Sequence, residues 1–131
     1  EVFASKYIQS WEIIDYAHPL KPDSPSSTTR ELAEKLSEIR TPLIEYPIEQ
    51  TIGPKESRGA NVKGTQIHSV RLPGYVFAFD TIFGLKHEKL ILRHEADTSA
   101  LPYVQGTLLA AMEVNKIKGL VQGFDSILNF N

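Results

Sequence analysis

Stretches with β-strand patterns are the clearest feature of the chain. One apolar stretch near the start is rich in β-forming residues, and three more follow in quick succession after the middle, separated by short turn signals. Because short turns join neighbouring strands as hairpins, the pattern predicts a sheet that is mostly antiparallel or mixed. The predicted strands, about four in number, cover residues 11–17, 65–72, 75–83 and 88–94.

Helical spacing of apolar residues marks three further stretches. The first has no N-cap, whereas the second follows a good N-cap at Ser26 or Ser27. The third can be capped by Thr98 or Ser99, and Gly119 is placed to end it. The predicted helices cover residues 1–10, about 27–40 and about 101–118.

A long segment rich in proline and glycine separates the second helix from the later strands. It covers residues 43–64 and has few long apolar runs. The pattern predicts a loop there, with one short extended piece at residues 43–48. Loops of this length usually carry function or contact another subunit.

The elements together predict an α+β fold, an open sheet with helices on one face. The third predicted strand carries large apolar side chains on both of its sides, with Phe77 and Phe79 on one and Val76 and Ile82 on the other. Such a strand is typically buried on both faces. We therefore expect the second face of the sheet to pack against another subunit.

Composition places the chain among ordinary globular domains. Its 131 residues are expected to form one domain, with 41% hydrophobic and 23% charged residues and a net charge of −2. The near-neutral charge argues against nucleic-acid partners, and no run approaches the length of a membrane span. The absence of cysteine excludes disulfides and is compatible with a reducing compartment, so we expect a cytoplasmic protein.

Nucleotide-binding fingerprints are missing from the chain. It has no GxGxxG, no GxxxxGK[ST] and no repeating strand–helix–strand pattern. If a nucleotide takes part in the function, most of its site must lie elsewhere. Because the chain also begins in a helical pattern without a cap, we expect it to be a fragment of a longer protein.

The most distinctive stretch is AHPLKPDSPSSTT, residues 17–29, between the first strand and the second helix. Its prolines predict a stiff, extended loop. The unpaired amides and positive dipole end of the following helix suit an anion, and Lys21 adds a positive charge. A lone lysine in such a loop is more often a solvated charge. With these neighbours, it predicts a site for a carboxylate-bearing ligand. No histidine has metal-ligand spacing, so no metal site is expected.

The stretch EIIDYAHPLKPDSPSSTTRELAEKL resembles the active-site segment of the dihydrodipicolinate reductase (4-hydroxy-tetrahydrodipicolinate reductase) family. That family typically reads EIIE-x-HH-x-x-K-x-DAPSGTA there. RGANVKGTQIHSVRLPGYV, then IFG and LILRHEAD, resemble the C-terminal sheet of the same enzyme, and QGTLL resembles the start of its closing helix. The blocks follow the family's order over nearly the whole chain.

The resemblance implies that residues 1–131 are the C-terminal substrate-binding and tetramerisation domain of such an enzyme. An N-terminal Rossmann domain, absent from the chain, would bind NADH or NADPH. Four sheets would form a barrel at the centre of a homotetramer. The full protein would reduce a cyclic dicarboxylate in lysine and diaminopimelate biosynthesis, and the isolated domain would be inactive.

Position by position, the resemblance implies roles for four residues. Lys21 matches the lysine that donates the proton in the reaction, a catalytic role. His18 matches the second histidine of the family's pair, which contacts a substrate carboxylate. Ser27 and Thr28, in the PSGT-like turn, would hold the other carboxylate through hydroxyl and backbone N–H groups.

The chain departs from the family pattern at a few positions. Ala17 stands where the family has its first, catalytic histidine, and Ser27 replaces the glycine of PSGT. If that glycine needs a positive φ, serine costs roughly 1–2 kcal/mol there. Thr98 follows Asp97 where many members have arginine. These departures keep open a non-catalytic oligomerisation and ligand-binding module, or a homologous reductase with a different substrate.

Overall fold

The computed structural model describes residues 1–121, 123, 124 and 127 of the chain. The chain divides into two compact units, Glu1–Asp97 and Thr98–Asn131. The first contains the sheet, two helices and every residue of the candidate site.

The first unit is built on a mixed sheet with β1 at its centre. The strand order is β2-β3-β1-β4-β5, and β1 runs parallel to β3 but antiparallel to β4. The outer pairs, β2 with β3 and β4 with β5, are antiparallel. The strands are β1 Ser10–Ala17, β2 Ala60–Val62, β3 Thr65–Arg71, β4 Phe77–Gly84 and β5 Lys89–Ala96. The α+β class and the open mixed sheet are therefore confirmed.

One strand and one pairing complete the mixed sheet. A fifth strand, β2, pairs with β3 through only three residues, too few to give an alternating pattern. The parallel pairing of β1 with β3 arises because the chain crosses back through a helix before it re-enters the sheet, whereas a tight hairpin would make the pair antiparallel.

Strict alternation along β1 assigns the two faces of the sheet. Trp11, Ile13, Asp15 and Ala17 are buried, while the residues between them are half-buried. Side chains in a strand point alternately to opposite faces, so these four lie on one face. That face carries the core of the unit.

Two helices pack on this face, α1 Val2–Tyr7 and α2 Ser27–Ile39. Ala33 and Leu36 of α2 are fully buried against the strands, as the apolar stripe of an amphipathic helix requires. The buried core consists of Trp11, Ile13, Ala33, Leu36, Ile67 and Phe83. α1 covers the middle of the predicted residues 1–10, and α2 ends one residue before the predicted end.

The opposite face of the sheet combines charged networks with partly exposed apolar side chains. Tyr16 donates a hydrogen bond of 2.9 Å to Asp80, which also forms a salt bridge of 3.0 Å with Arg93. Burial and this hydrogen bond both raise the pKa of Tyr16. Ile91 on β5 is 52% exposed, and half-buried Ile82 lies opposite it in register.

The long segment before β2 contains two short 3-10 helices, Ile48–Gln50 and Lys55–Arg58. The predicted extended piece at residues 43–48 is wrong, because no strand forms there. Leu43 is nevertheless tied to the first unit, since its N–H donates 2.7 Å to the carbonyl of Gln9. The segment is thus held at its start without joining the sheet.

The second unit contains helix α3, Leu101–Glu113, followed by a 3-10 turn at Val114–Lys116. The helix ends five residues before the predicted end at residue 118. The N-cap position is Ala100, one residue after the predicted Ser99, and Ala100 makes no side-chain cap. The Ser99 hydroxyl instead accepts a hydrogen bond of 3.2 Å from the N–H of Leu101. Within the described residues, no helix is long and apolar enough to cross a membrane.

Candidate functional site

The candidate site is the loop between β1 and α2, and a buried acidic residue anchors it. Asp15 lies on the packed face of β1 with its side chain fully buried. Its Oδ2 accepts hydrogen bonds of 2.8 Å from Arg71 Nη2 and 2.9 Å from the N–H of Ser26. The hydroxyl of Ser69 lies 3.3 Å from the same oxygen. Asp15 therefore ties the start of α2 to the central strand.

Arg71, at the end of β3, completes this anchor. Its Nη2 also donates 2.7 Å to the carbonyl of Asp23, in the middle of the loop, and its Nη1 lies 3.3 Å from the carbonyl of Asp15. A guanidinium presents several donors in one plane, so a single arginine can hold the strand and the loop together. The backbone of the loop is thus fixed by buried contacts, independently of its exposed side chains.

The start of α2 is capped within the loop. Ser26 is the N-cap residue and is almost fully buried, and its Oγ accepts a hydrogen bond of 3.4 Å from the N–H of Thr29. The two hydroxyls lie 3.0 Å apart, which closes the first turn. This arrangement confirms Ser26, not Ser27, as the cap. It leaves the N–H groups of Ser27 and Thr28 without partners inside the helix.

One carboxylate brings Lys21 and the start of α2 together. Lys21 Nζ lies 2.8 Å from Asp23 Oδ1, and the N–H of Ser27 donates 3.2 Å to Asp23 Oδ2. The hydrogen bond from Lys21 is the largest cause that lowers the pKa of Asp23, and the Ser27 amide adds to it. The ammonium and the first amide of the helix therefore form a site that accepts a carboxylate.

The other two predicted ligand residues lie at the surface beside this site. The carbonyl of His18 accepts 3.2 Å from the N–H of Lys21, and its Nδ1 accepts 3.2 Å from the N–H of Leu20. The hydroxyls of Ser27 and Thr28 are exposed and make no hydrogen bond within the described part of the chain. The structure joins Lys21 to Ser27 through Asp23, and it joins His18 to Lys21 through the backbone only.

The two departures from the family pattern have different structural consequences. Ala17 is fully buried on the packed face of β1, opposite Phe77 of β4. Its position offers no functional group to the loop. Ser27 is the first helical residue of α2 and does not have a positive φ; among the described residues, Lys63 is the non-glycine residue that does. The conditional cost of serine at this position therefore does not arise.

Sequence reasoning missed the anchor formed by Asp15 and Arg71. A signal was present, because an acidic residue occupies an inward position between Ile13 and Ala17 of β1. A buried charge requires a partner, but the pattern could not show that the partner lies 56 residues away. The contact of Asp23 with Lys21 was not foreseen either.

A cavity of the first unit lies away from the candidate site. Its volume is about 1080 Å³, and its lining includes Glu12, Arg58 and Gln66 near the opposite end of β1. None of the predicted site residues lines it. Among the described residues, no three histidine, aspartate or glutamate side chains are grouped so that they could hold a metal ion.

The fold and the loop define an α+β domain in which a lysine and a helix N-terminus meet on the carboxylate of Asp23 at a strand–helix junction. The sequence model of the family described as dihydrodipicolinate reductase, C-terminus, matches residues 2–128. The chain therefore belongs to this family. The resemblance inferred from the sequence is confirmed.

Individual relatives agree with this assignment. The chain is 37% identical over 128 residues to a 4-hydroxy-tetrahydrodipicolinate reductase of Mycolicibacterium smegmatis, covering 98% of the chain and 52% of that protein. It is 38% identical over 125 residues to the reductase of the same name from Desulfitobacterium hafniense, covering 95% of the chain and 46% of that protein. The chain thus spans about half the length of the curated relatives it matches.

A solved structure agrees with the fold in detail. It is described as dipicolinate-bound dihydrodipicolinate reductase from Paenisporosarcina sp. TG-14. The match has a TM-score of 0.85 and 31% sequence identity, and it covers 97% of this chain and 48% of that chain. The same arrangement of strands and helices therefore occurs in a protein whose description names a bound dicarboxylate.

Proposed function

We propose that this chain is the C-terminal substrate-binding and tetramerisation domain of an NAD(P)H-dependent 4-hydroxy-tetrahydrodipicolinate reductase. The whole protein would reduce a cyclic dicarboxylate in lysine and diaminopimelate biosynthesis, in the cytoplasm. The observation that carries the proposal is the meeting of Lys21 and the first amide of α2 on one carboxylate, that of Asp23. A substrate carboxylate meets the same two donors.

The substrate-binding roles follow from the geometry of the loop. The N–H groups of Ser27 and Thr28 lie at the positive end of the α2 dipole, and their hydroxyls are exposed. These groups bind one carboxylate of the substrate. His18, exposed at the start of the loop, binds a second carboxylate on the other side of Lys21. A ligand with two carboxylates spans the loop, whereas one with a single carboxylate contacts only part of it.

Lys21 acts as the general acid in this proposal. Its ammonium first pairs with a substrate carboxylate and then donates a proton to the carbanion that develops on the reduced ring. An anionic substrate also keeps the amine protonated until the reaction occurs. Ala17 provides no second proton-transfer group, so Lys21 works without the histidine that the family has at that position.

The residues of this chain do not fit a dinucleotide site of their own. The helix start that usually receives a pyrophosphate follows a loop with three prolines. The amide of Ser26 at this helix start already donates to the buried carboxylate of Asp15. The hydride would therefore come from NADH or NADPH bound mainly by a domain outside this chain.

The face of the sheet opposite α1 and α2 is proposed as the tetramer interface. It carries Ile82 and exposed Ile91 beside the Tyr16–Asp80–Arg93 network. An interface between subunits has an apolar core with a polar rim, and the neighbouring Ile82 and Ile91 beside this charged network fit that arrangement. Light scattering at micromolar concentration is expected to give four copies, and a monomer would contradict this part of the proposal.

Calorimetry of the full-length protein with pyridine-2,6-dicarboxylate tests the substrate proposal. We expect millimolar or tighter binding that Lys21→Ala abolishes. Lys86→Ala is the matched control, because it removes one positive charge from the exposed β4–β5 turn. Absence of binding to the wild-type protein, or equal losses in both variants, would contradict the proposal.

Buried Ala17 favours one alternative, a binding module or a reductase that acts on a different substrate. A wild-type protein that binds the dicarboxylate but does not oxidise NADH or NADPH in the presence of the dihydrodipicolinate substrate would support this alternative. Turnover of that substrate, lost in Lys21→Ala, would exclude it. The two proposals share the carboxylate site and differ in the reaction.

A further inference from the structure

The carboxylate of Asp23 already uses the donors that the proposed substrate needs. Its two oxygens are engaged separately, Oδ1 with Lys21 Nζ at 2.8 Å and Oδ2 with the N–H of Ser27 at 3.2 Å. The chain thus places its own anion between Lys21 and the helix start. A substrate carboxylate that approaches the same donors meets a negative charge.

The contact with Ser27 makes simultaneous occupation unfavourable. A backbone amide has a single hydrogen, so it donates one well-aligned hydrogen bond at a time. Lys21 has three hydrogens and could pair with two carboxylates, but two carboxylates brought together on one amide repel each other. Binding a substrate carboxylate at Ser27 therefore requires that Asp23 leaves.

The surrounding contacts allow the Asp23 side chain to leave without unfolding the loop. The carbonyl of Asp23 is held by Arg71 at 2.7 Å, and the next part of the loop is held by the bond from Ser26 to Asp15. The carboxylate itself lies at the surface, with 31% of the side chain exposed, and Lys21 is 27% exposed. Rotation of one side chain moves the carboxylate into water while the backbone stays anchored.

We infer that Asp23 is an internal competitor, whose carboxylate occupies the site until a ligand carboxylate replaces it. The inference rests on the proposed function, because it assumes that Lys21 and Ser27 bind the substrate. The exchange makes Asp23 a specificity-determining residue. A ligand must supply contacts beyond the one carboxylate that replaces Asp23, and a dicarboxylate supplies them through its second carboxylate.

The decisive experiment uses calorimetry on the full-length protein. It compares the affinity for the dicarboxylate between the wild type and Asp23→Asn. Asparagine keeps the shape and an acceptor for the Ser27 amide but has no charge to hold Lys21. We expect the Kd for pyridine-2,6-dicarboxylate to fall about tenfold, because the ligand then displaces a neutral group. An unchanged or higher Kd would mean that Asp23 serves to position Lys21, and would overturn the inference.

Glu31→Gln is the matched control for a general effect of charge. Glu31 lies about one turn after Ser27 on α2, and it pairs with Lys35 at 3.6 Å. Removal of this carboxylate changes the net charge by the same amount but leaves the Lys21 contact intact. We expect the Kd of Glu31→Gln for the dicarboxylate to stay within about twofold of the wild-type Kd, since salt screens exposed charges that do not contact the site. An equal gain in both variants would also overturn the inference.

A structure of the wild-type protein with the dicarboxylate gives a second test that does not depend on a variant. The Asp23 carboxylate is expected to lie beyond hydrogen-bond distance of the Ser27 amide, with a ligand oxygen in its place. An Asp23 carboxylate that remains on both donors beside the bound ligand overturns the inference alone. Failure of both the wild type and Asp23→Asn to bind overturns the inference and the substrate proposal together.

Discussion

The guanidinium of Arg71 lies 2.8 Å from the fully buried carboxylate of Asp15, and this pair fixes the loop that leads into α2. Arg71 is the last residue of β3, and Asp15 lies two residues before the end of the parallel strand β1. Each also holds one point of the loop, Arg71 the carbonyl of Asp23 and Asp15 the amide of Ser26. The geometry of the candidate site thus depends on a contact within the sheet. Lys21 and Ser27 can meet on one carboxylate because Arg71 and Asp15 hold the backbone between them.

Arg71→Met is therefore expected to lower the free energy of unfolding by about 3 kcal/mol, because it leaves Asp15 buried without its charged partner. Urea denaturation measures this loss, and Arg30→Met is the control, since Arg30 is exposed on α2. The variant should also bind the dicarboxylate more weakly than the control. A loss of stability below about 1 kcal/mol, the range of surface pairs, would show that the pair is not the anchor.

The sequence predicted much of the sheet, for reasons that individual strands make clear. β1 and β4 are long, apolar and bounded by turn residues, so their positions came out within two residues of the structure. β2 has three residues and depends on its pairing with β3. The parallel pairing of β1 with β3 is determined by tertiary packing, which the local periodicity of the sequence does not encode.

The candidate site was predicted to a similar extent. The stretch that carries Lys21 and Ser27 could be identified from the local sequence, because the lysine and the serine cap lie close together just before a helix. The contacts that fix the stretch come from Asp15 and Arg71, which are far apart in sequence. The contact of Asp23 with Lys21 is local, but it competes with the proposed ligand, and a motif does not distinguish these roles.

Ser26→Ala is expected to destabilise the protein by about 1–2 kcal/mol, because it removes the N-cap of α2 at a buried position. The lost hydroxyl also leaves Thr29 without its partner at 3.0 Å. Thermal unfolding checks the change. Ser37→Ala is the control, because Ser37 is half-buried further along the same helix and, within the described residues, its hydroxyl bonds only the carbonyl of Glu34. Its stability should lie within about 0.5 kcal/mol of the wild type. Equal effects at both positions would contradict the role of Ser26.

Asp23 is expected to contribute stability that depends on pH in one direction. Its pKa is lowered in the folded state, chiefly by Lys21, from an ordinary value of 3.8. A lowered folded pKa means that the stabilisation is present above the unfolded pKa and is lost as the pH falls through the folded pKa. The wild type should therefore be more stable than Asp23→Asn at pH 5 to 7, and the difference should shrink below about pH 4.

Urea denaturation of both proteins across this range measures the effect. A difference that grows on acidification would contradict the Lys21 contact. Combined with the expected gain in ligand affinity, the result would show that one contact stabilises the free protein and opposes binding. If Asp23 had only a structural role, Asp23→Asn would lower both the stability of the protein and its affinity for the dicarboxylate.

Ala17→His restores the residue that the family has at this position, and it tests whether the buried alanine can be replaced. Ala17 has no exposed surface and lies opposite Phe77 across β1 and β4. An imidazole is too large for this space and brings polar nitrogens to a packed position, so we expect a loss of about 1–3 kcal/mol in urea denaturation. Leu20→His, at an 86% exposed position of the loop, controls for the change of residue type.

The outcome of Ala17→His bears on the chemistry as well as the packing. If the variant unfolds more easily and does not raise the rate of reduction, the packing around Phe77 has closed the position to a histidine, and the proposed proton donation stays with Lys21. A variant that keeps its stability and gains activity would show that the space remains open. The first outcome is expected, because close-packed interiors seldom accept added volume without strain.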